Sequence, residues 1–298
     1  MIARTVCVLG ATGFVGHHLV PELARHGYQV RVVTRRYERA RGLLTVPGIE
    51  VIEGDINDEA RLRECFAGCY AVINLVAVLH ERRMGDFQRL HVDLPARIAR
   101  ICEQQQVSRL LHISALHAGR TASHYLDSKG RGEVQLRQGV QHTRLTIFRP
   151  SVIFGPGDHF FTRFATLLRL APGIFPVVCA QARLAPVYVG DITTAMIAVL
   201  DQPTAPGGTY ELCGPRSYTL QELVALTART TGVRRYLPGL GMGSSRLVAA
   251  ILGHLPGRLF TYDNYRSLQI DNVCSRHIGE LFQISPHSVE GVIAGYLD

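Results

Sequence analysis

Short, nearly unbroken apolar runs alternate with stretches of helical periodicity through the first two thirds of the chain. The apolar runs fall at about Thr5–Leu9, Gln29–Thr34, Glu50–Gly54, Ala71–Val76, Leu110–Ser114 and Thr143–Arg149. They are rich in Val, Ile and Leu, as strands covered on both faces should be. Between them, Val15–His26, Glu59–Phe66, Phe87–Gln105 and Ser123–Gln138 read as helices, with a kink expected at Pro21. This rhythm predicts an α/β fold: a doubly wound parallel sheet of Rossmann type, with ligands at the carboxyl ends of its strands. After Pro150 the rhythm loosens. Phe160–Leu170 and Leu220–Thr230 read as helices, Ala185–Asp191 as a return to the main domain, Ile192–Leu200 as its helix and Thr209–Leu212 as a strand. The expected division is a nucleotide-binding domain over 1–155, rejoined by 183–203. A smaller, discontinuous C-terminal substrate lobe takes 156–182 and 204–298. Within a Gly/Pro-punctuated stretch from Gly232 to Leu259, Leu247–Leu252 is strongly apolar and reads as pocket cover or core.

Composition narrows the classes. The seven cysteines are scattered and odd in number, which predicts no disulfide framework and a reducing compartment. Cys65 and Cys69 share a helix face, and without a second pair of ligands nearby they read as core. No apolar run is long enough for a membrane span, and the start reads as a strand and glycine turn rather than a signal peptide. The expected location is cytoplasmic, with a membrane-peripheral position as the variant. The net charge of +8 comes mostly from dispersed arginines, so nucleic acid is not the expected partner. Arg35, Arg36, Arg39 and Arg41 are the exception, and a nucleotide phosphate or an anionic membrane surface would each account for them. The thirteen histidines show no metal-ligand pattern; His17 and His18 are adjacent and face apart.

The first strand runs directly into Gly10-Ala11-Thr12-Gly13-Phe14-Val15-Gly16 and then a helix. Gly10 permits a tight turn, Gly13 a close approach of backbone to phosphate, and Gly16 close helix–strand packing. The helix start aims its amides at an anion. The second strand ends on Arg35 and Arg36, where a cofactor lacking the 2′-phosphate usually meets an acid. A guanidinium fork matches a phosphate, so NADP(H) is favoured with NAD(H) as the alternative; the other reading is a solvated basic loop.

The second chemical signal is Tyr125-x-x-x-Lys129. Four-residue spacing on a helix brings phenol and ammonium to one face. A neighbouring ammonium would lower the phenol toward a useful range, letting Tyr125 act as acid on a carbonyl oxygen.

The glycine spacing and its Thr12 and Phe14 resemble the short-chain dehydrogenase/reductase superfamily, in its extended and atypical branches. That resemblance implies that Asp55, with Ile56, reaches the adenine, although Asp55 also reads as a helix cap. It places Leu75, Val76 and Ala77 under the adenosine ribose, and lets Lys129 bond the nicotinamide ribose. It also implies a hydroxyl past the fifth strand to hold the substrate carbonyl. Here Ala115 stands at that position and Ser114 one residue early, so Ser114 serves only if the alignment shifts by one. His91-Val92-Asp93 occupies the helix where many members carry a catalytic asparagine.

These departures, together with Arg109–Leu116, Tyr125-x-x-Ser128-Lys129-x-x-x-Glu133, Phe148–Asp158 and Pro186–Asp191, resemble a narrower group. It comprises relatives of the nucleotide-binding accessory subunit of respiratory complex I. The resemblance covers residues 3 to about 230. It implies NADPH binding, with Pro150, Val152 and Ile153 flanking the nicotinamide. Two functions follow. One is an oxidoreductase acting on a carbonyl or quinone-like small molecule, or a related epimerase/dehydratase step, with Tyr125, Lys129 and Ser114 catalytic. The other is a non-catalytic NADPH-binding subunit, structural or redox-sensing, in a respiratory or quinone-biosynthesis complex. Oligomeric state is left open.

Overall fold

The computed structural model describes residues 4–121, 123–202, 207–252 and 261–297. The chain separates into two compact units. The first comprises 1–120, 125–149 and 192–210; the second 121–124, 150–191 and 211–298.

In chain order the elements are β1 (Thr5–Leu9), α1 (Phe14–Arg25), β2 (Gln29–Thr34), β3 (Ile49–Glu53), α2 (Glu59–Phe66), β4 (Ala71–Asn74), α3 (Leu94–Gln104), β5 (Arg109–Ile113), α4 (His124–Gly139) and β6 (Arg144–Pro150). There follow β7 (Ile153–Phe154), α5 (Phe161–Leu170), β8 (Arg183–Leu184), β9 (Val187–Tyr188), α6 (Val189–Asp201), β10 (Gly208–Leu212), β11 (Tyr218–Thr219) and α7 (Leu220–Thr230). The tail adds α8 (Met242–Leu252), α9 (Tyr262–Ser267), α10 (Ile278–Phe282) and α11 (Val289–Ile293).

The main sheet has the order β10-β6-β5-β4-β1-β2-β3. The ladders joining β1 to β6 are all parallel. Strand order therefore reverses between β1 and β4, the topological switch point of a Rossmann-type sheet. In register, Leu9 lies opposite both Val33 and Asn74, and Asn74 opposite His112. The loops after β1, β2, β4 and β5 thus leave one edge of the sheet. The expected strands match β1 and β2 in full and the other four to within two residues at either end.

A core on one face of this sheet joins Leu9, Leu62, Phe66, Val72, Leu94 and Ile98. Cys65 and Cys69 belong to it, and burial pushes the Cys69 thiol up to about 11. The second unit has its own core around Phe154, Phe161, Leu168, Leu184 and Leu223. Among the described residues, no helix is long and apolar enough to cross a membrane.

Three differences from expectation have local causes. β4 ends at Asn74, two residues early, because the Asn74 side chain accepts the Val76 N–H at 3.1 Å and turns the chain off the sheet. The helix expected over Phe87–Gln105 begins as a π-helical turn, Gln88–Asp93, before α3. Pro95 explains this: it has no N–H to return to the His91 carbonyl, so the preceding turn widens. Finally, the cysteines are not all free. Cys213, just past β10, is bonded to Cys274, 61 residues later, within the second unit. Nothing in the spacing announces the pair. It forms because the Ile278 N–H bonds the Cys213 carbonyl and Asn272 bridges Leu184, bringing the tail back to that point. Of the apolar tail segment, Leu247–Leu252 is the second half of α8; residues 253–260 lie outside the described residues.

Candidate functional site at the carboxyl edge of the sheet

Gly10 turns the chain off β1 with φ +81°. A Cβ there would stand 3.0 Å from the Leu75 carbonyl carbon and the Val76 nitrogen, so the loop lies directly on the end of β4. The Gly13 N–H closes the turn on the Gly10 carbonyl at 3.0 Å. Gly13 is exposed, and a Cβ on it would meet only that carbonyl. Gly16 is buried; a Cβ there would stand 2.3 Å from the Ala11 carbonyl, so only glycine lets α1 rise this close to the loop. No side chain caps α1, and no acid stands in its first turn. Its first-turn amides, at Phe14, Val15 and Gly16, beside the half-buried Thr12, make the start of α1 electropositive, which suits a diphosphate.

Past β2, the buried Thr34 hydroxyl donates to the Arg36 carbonyl at 3.1 Å and accepts its N–H. The Arg35 and Arg36 side chains are exposed, and among the described residues neither is paired with a carboxylate. Past β3, the exposed Asp55 accepts both N–H groups of Asn57, and it is Asp58 that caps α2 through the Arg61 N–H. The cap expected of Asp55 thus falls three residues later. Ile56 is half-buried beside it. Leu75 and Val76 are half-buried beyond β4, and Ala77 is exposed. Pro150 ends β6 and, like Val152 and Ile153 beside and within β7, belongs to the second unit.

Tyr125 and Lys129 stand one turn apart on α4. The half-buried Tyr125 ring sits in an aromatic corner, with Phe87 at 6.1 Å and His91 at 5.6 Å, both edge-on. Lys129 is fully buried, and its Nζ donates to the Ile113 carbonyl at the end of β5 at 2.8 Å. Burial pushes the Lys129 ammonium down to about 8, opposed by the Glu133 carboxylate. Burial also pushes the Tyr125 phenol up to about 12. Within the protein itself desolvation outweighs the nearby ammonium, so the phenol holds its proton more tightly than the motif alone implies.

Two supporting networks were not foreseen. One turn below Lys129, Glu133 is buried and takes both arms of the Arg149 guanidinium, at 2.8 and 2.6 Å. Ser114 donates its hydroxyl proton to the same carboxylate at 2.6 Å. The Tyr-Lys-Glu spacing on one helix face was visible in the sequence; the meeting with Arg149 needed the β5–β6 register.

The second network centres on His91. Its Nε2 accepts the Val78 N–H at 3.1 Å, and its Nδ1 lies 2.9 Å from Ser128 Oγ. Ser128 spends its own proton on the Tyr125 carbonyl, so His91 must donate from Nδ1 and is neutral. Burial, with the charge of Lys129, holds its pKa down to about 3. Gly132 lets α4 approach this turn: a Cβ there would stand 1.9 Å from the His91 carbonyl oxygen. His112, accepting from the Asn74 amide at 3.1 Å, is likewise held well below its usual range by burial.

These histidines give a pH prediction. The fold keeps them neutral, whereas the unfolded chain protonates them near ~6.5. Stability therefore falls as pH drops below that value. His91 alone contributes a loss of about 2 kcal/mol between pH 7 and 5. Denaturant midpoints at the two pH values measure this, and a His91→Gln chain should show a shallower slope. Equal midpoints at both would contradict it.

The model of the NAD dependent epimerase/dehydratase family matches residues 6–213. The mitochondrial NADH dehydrogenase (ubiquinone) 1 alpha subcomplex subunit 9 of Mus musculus is 32% identical over 222 residues, 73% of this chain and 58% of its own length. The chain thus spans under two thirds of that relative. A ceramide reductase of Caulobacter vibrioides is 30% identical over 232 residues, covering 77% of this chain and 71% of its own. Among solved structures, an NADPH-dependent quinone oxidoreductase of Escherichia coli complexed with NADPH superposes with a TM-score of 0.77. It is 19% identical and covers 96% of this chain and 97% of that one.

Proposed function

Because the chain belongs to the NAD dependent epimerase/dehydratase family, we propose that it binds a nicotinamide dinucleotide along the carboxyl edge of its sheet. We propose further that it reduces a carbonyl or quinone-like substrate, or runs a related epimerase/dehydratase step. The observation that carries this reading is the Gly10–Gly16 loop, uncapped and laid on Leu75–Val76 at the switch point of the sheet.

Gly10, Thr12, Gly13, Phe14, Val15 and Gly16 would hold the diphosphate. Asp55 and Ile56 would meet the adenine, and Leu75, Val76 and Ala77 the ribose beside it. Pro150, Val152 and Ile153 would flank the nicotinamide. When bound, the dinucleotide supplies or accepts a hydride. Tyr125 keeps its proton at Oη at neutral pH, as an acid delivering it to a carbonyl oxygen must. Lys129, mostly charged at neutral pH and anchored on the Ile113 carbonyl, would hold ribose hydroxyls and stabilise the phenolate once the proton has left. Ser114 would have to release Glu133 before it could reach a substrate carbonyl. It is the weakest of the three catalytic assignments.

NADP(H) is preferred over NAD(H) because Arg35 and Arg36 stand exposed past the end of β2 and, among the described residues, no carboxylate pairs with them. Arg35→Ala is expected to weaken NADPH binding about tenfold or more and NADH binding little, since a charge-assisted phosphate contact contributes about 1.5–3 kcal/mol. Titrations with both nucleotides check this; equal losses would contradict the 2′-phosphate assignment.

The commitment of Ser114 to Glu133, with Ala115 at the neighbouring position, favours a second reading. In it the nucleotide is held without turnover, as a structural or redox-sensing element of a respiratory or quinone-biosynthesis complex. Oxidation of bound NADPH by short quinones or small carbonyls separates the two: turnover lost in Tyr125→Phe supports the enzyme, and retained, unoxidised nucleotide supports the subunit.

A further inference from the structure

Between Asp158 and Asp191, and again between Glu222 and Asp263, the chain carries eight arginines and no acidic residue. In the second unit these two stretches pair. Ile174 bridges Tyr236 and Val177 bridges Gly239, both parallel. The Phe175, Val177, Tyr236 and Leu240 amides close the ladder at 2.8–2.9 Å. At this junction large apolar side chains face solvent: Leu170 is 75% exposed, Ile174 57% and Tyr236 70%.

The arginines around it bond carbonyl oxygens. Arg235 donates to the carbonyls of Leu168, Arg169 and Arg234, and Arg169 donates to that of Leu297. These are carbonyl acceptors, and among the described residues no carboxylate pairs with Arg169, Arg229, Arg234 or Arg235. Arg229 and Arg234 are exposed. Capping of the α5 carbonyls accounts for Arg235. It does not account for Leu170, Ile174 and Tyr236 standing out in water among arginines.

We infer that this face docks on an anionic phospholipid surface, with Ile174, Tyr236 and Leu170 entering the headgroup layer and Arg169, Arg229 and Arg234 holding lipid phosphates. An exposed cluster of large apolar side chains marks an interaction site. Charge complementarity selects an anionic lipid surface: exposed arginines without a carboxylate partner among the described residues stand beside the apolar side chains, their stems cover apolar surface while their charges reach phosphate, and the tyrosine suits the same interface. The attachment is peripheral, because the contributing segments are a short ladder and the ends of α5 and α7 rather than a spanning helix. This inference does not depend on the nucleotide reading, because none of its residues is among those proposed to hold the dinucleotide.

The chain has no tryptophan, so Tyr236→Trp introduces a single fluorescent reporter at the centre of the face. With phosphatidylcholine vesicles containing phosphatidylserine, its emission should shift to the blue and the protein should co-sediment. Phosphatidylcholine alone should produce neither effect, and added salt should weaken both. Arg229→Glu with Arg234→Glu reverses two charges and should weaken vesicle binding about 100-fold or more, since each basic group near such a surface contributes about 1 kcal/mol. The melting temperature and nucleotide titration of that variant should be unchanged. Ile174→Ser in the wild-type background should also weaken binding. Three results would overturn the inference: no blue shift or sedimentation with anionic vesicles, equal binding to neutral ones, or binding that survives the charge reversal. Self-association in the ultracentrifuge, abolished by Ile174→Ser without any vesicle binding, would assign the face to a second copy of the chain and overturn it equally.

Discussion

Tyr125→Phe is expected to lower turnover of a carbonyl or quinone substrate about 10²–10⁴-fold, the usual contribution of a positioned general acid. Only the phenolic oxygen is removed. The ring keeps its edge-on contacts with Phe87 and His91, and Ser128 still bonds the backbone carbonyl of residue 125. Lys129, anchored on the Ile113 carbonyl, should stay in place. The loss should therefore appear in kcat, with dinucleotide affinity nearly unchanged. Steady-state kinetics beside a nucleotide titration separate the two. If the variant turned over as well as the parent, Tyr125 would not be the acid.

Glu133→Ala is expected to cost about 3 kcal/mol of stability. Truncating one partner of a buried ion pair leaves the other charge and its hydrogen bonds uncompensated, at a cost of about 3–5 kcal/mol. Arg149 keeps a quarter of its side-chain surface in water, which places the effect at the low end of that range. The same substitution frees the Ser114 hydroxyl and removes the carboxylate that raises the Lys129 pKa. Glu133→Gln retains an acceptor for Ser114 and should recover part of the loss. Guanidinium midpoints of the three chains order them parent, Gln, Ala. An alanine variant as stable as the parent would show the network to be dispensable.

The sheet was legible because its signals are local. Strands buried on both faces are nearly all apolar, and Gly10 and Gly16 occupy positions where a Cβ would strike backbone. The Tyr125–Lys129 pair was legible because helical spacing alone brings it together. What the sequence concealed depends on register and on distant chain. Nothing near His91 announces that it is neutral, since its state follows from Val78 and Ser128. The π-helical turn does trace to one residue, Pro95, but an apolar periodicity running through it masked the break. The Cys213–Cys274 bond joins positions set by the return of the tail along Leu184 and Cys213. Ser114 follows directly on β5, and the direction of its hydroxyl is decided by Glu133 on α4. The expected drop in the Tyr125 pKa failed to appear because burial of the phenol is the larger effect in the protein itself.

On this reading the glycine loop after β1 and the edge of the sheet beside it hold a nicotinamide dinucleotide. Isothermal titration of the purified chain with NADPH, and then with NADH, tests it most directly. Saturable heat is expected at one site per chain, tighter with NADPH, and abolished by Gly10→Val at the point where the loop touches Leu75. No heat with either nucleotide, from a chain shown to be folded, would contradict it.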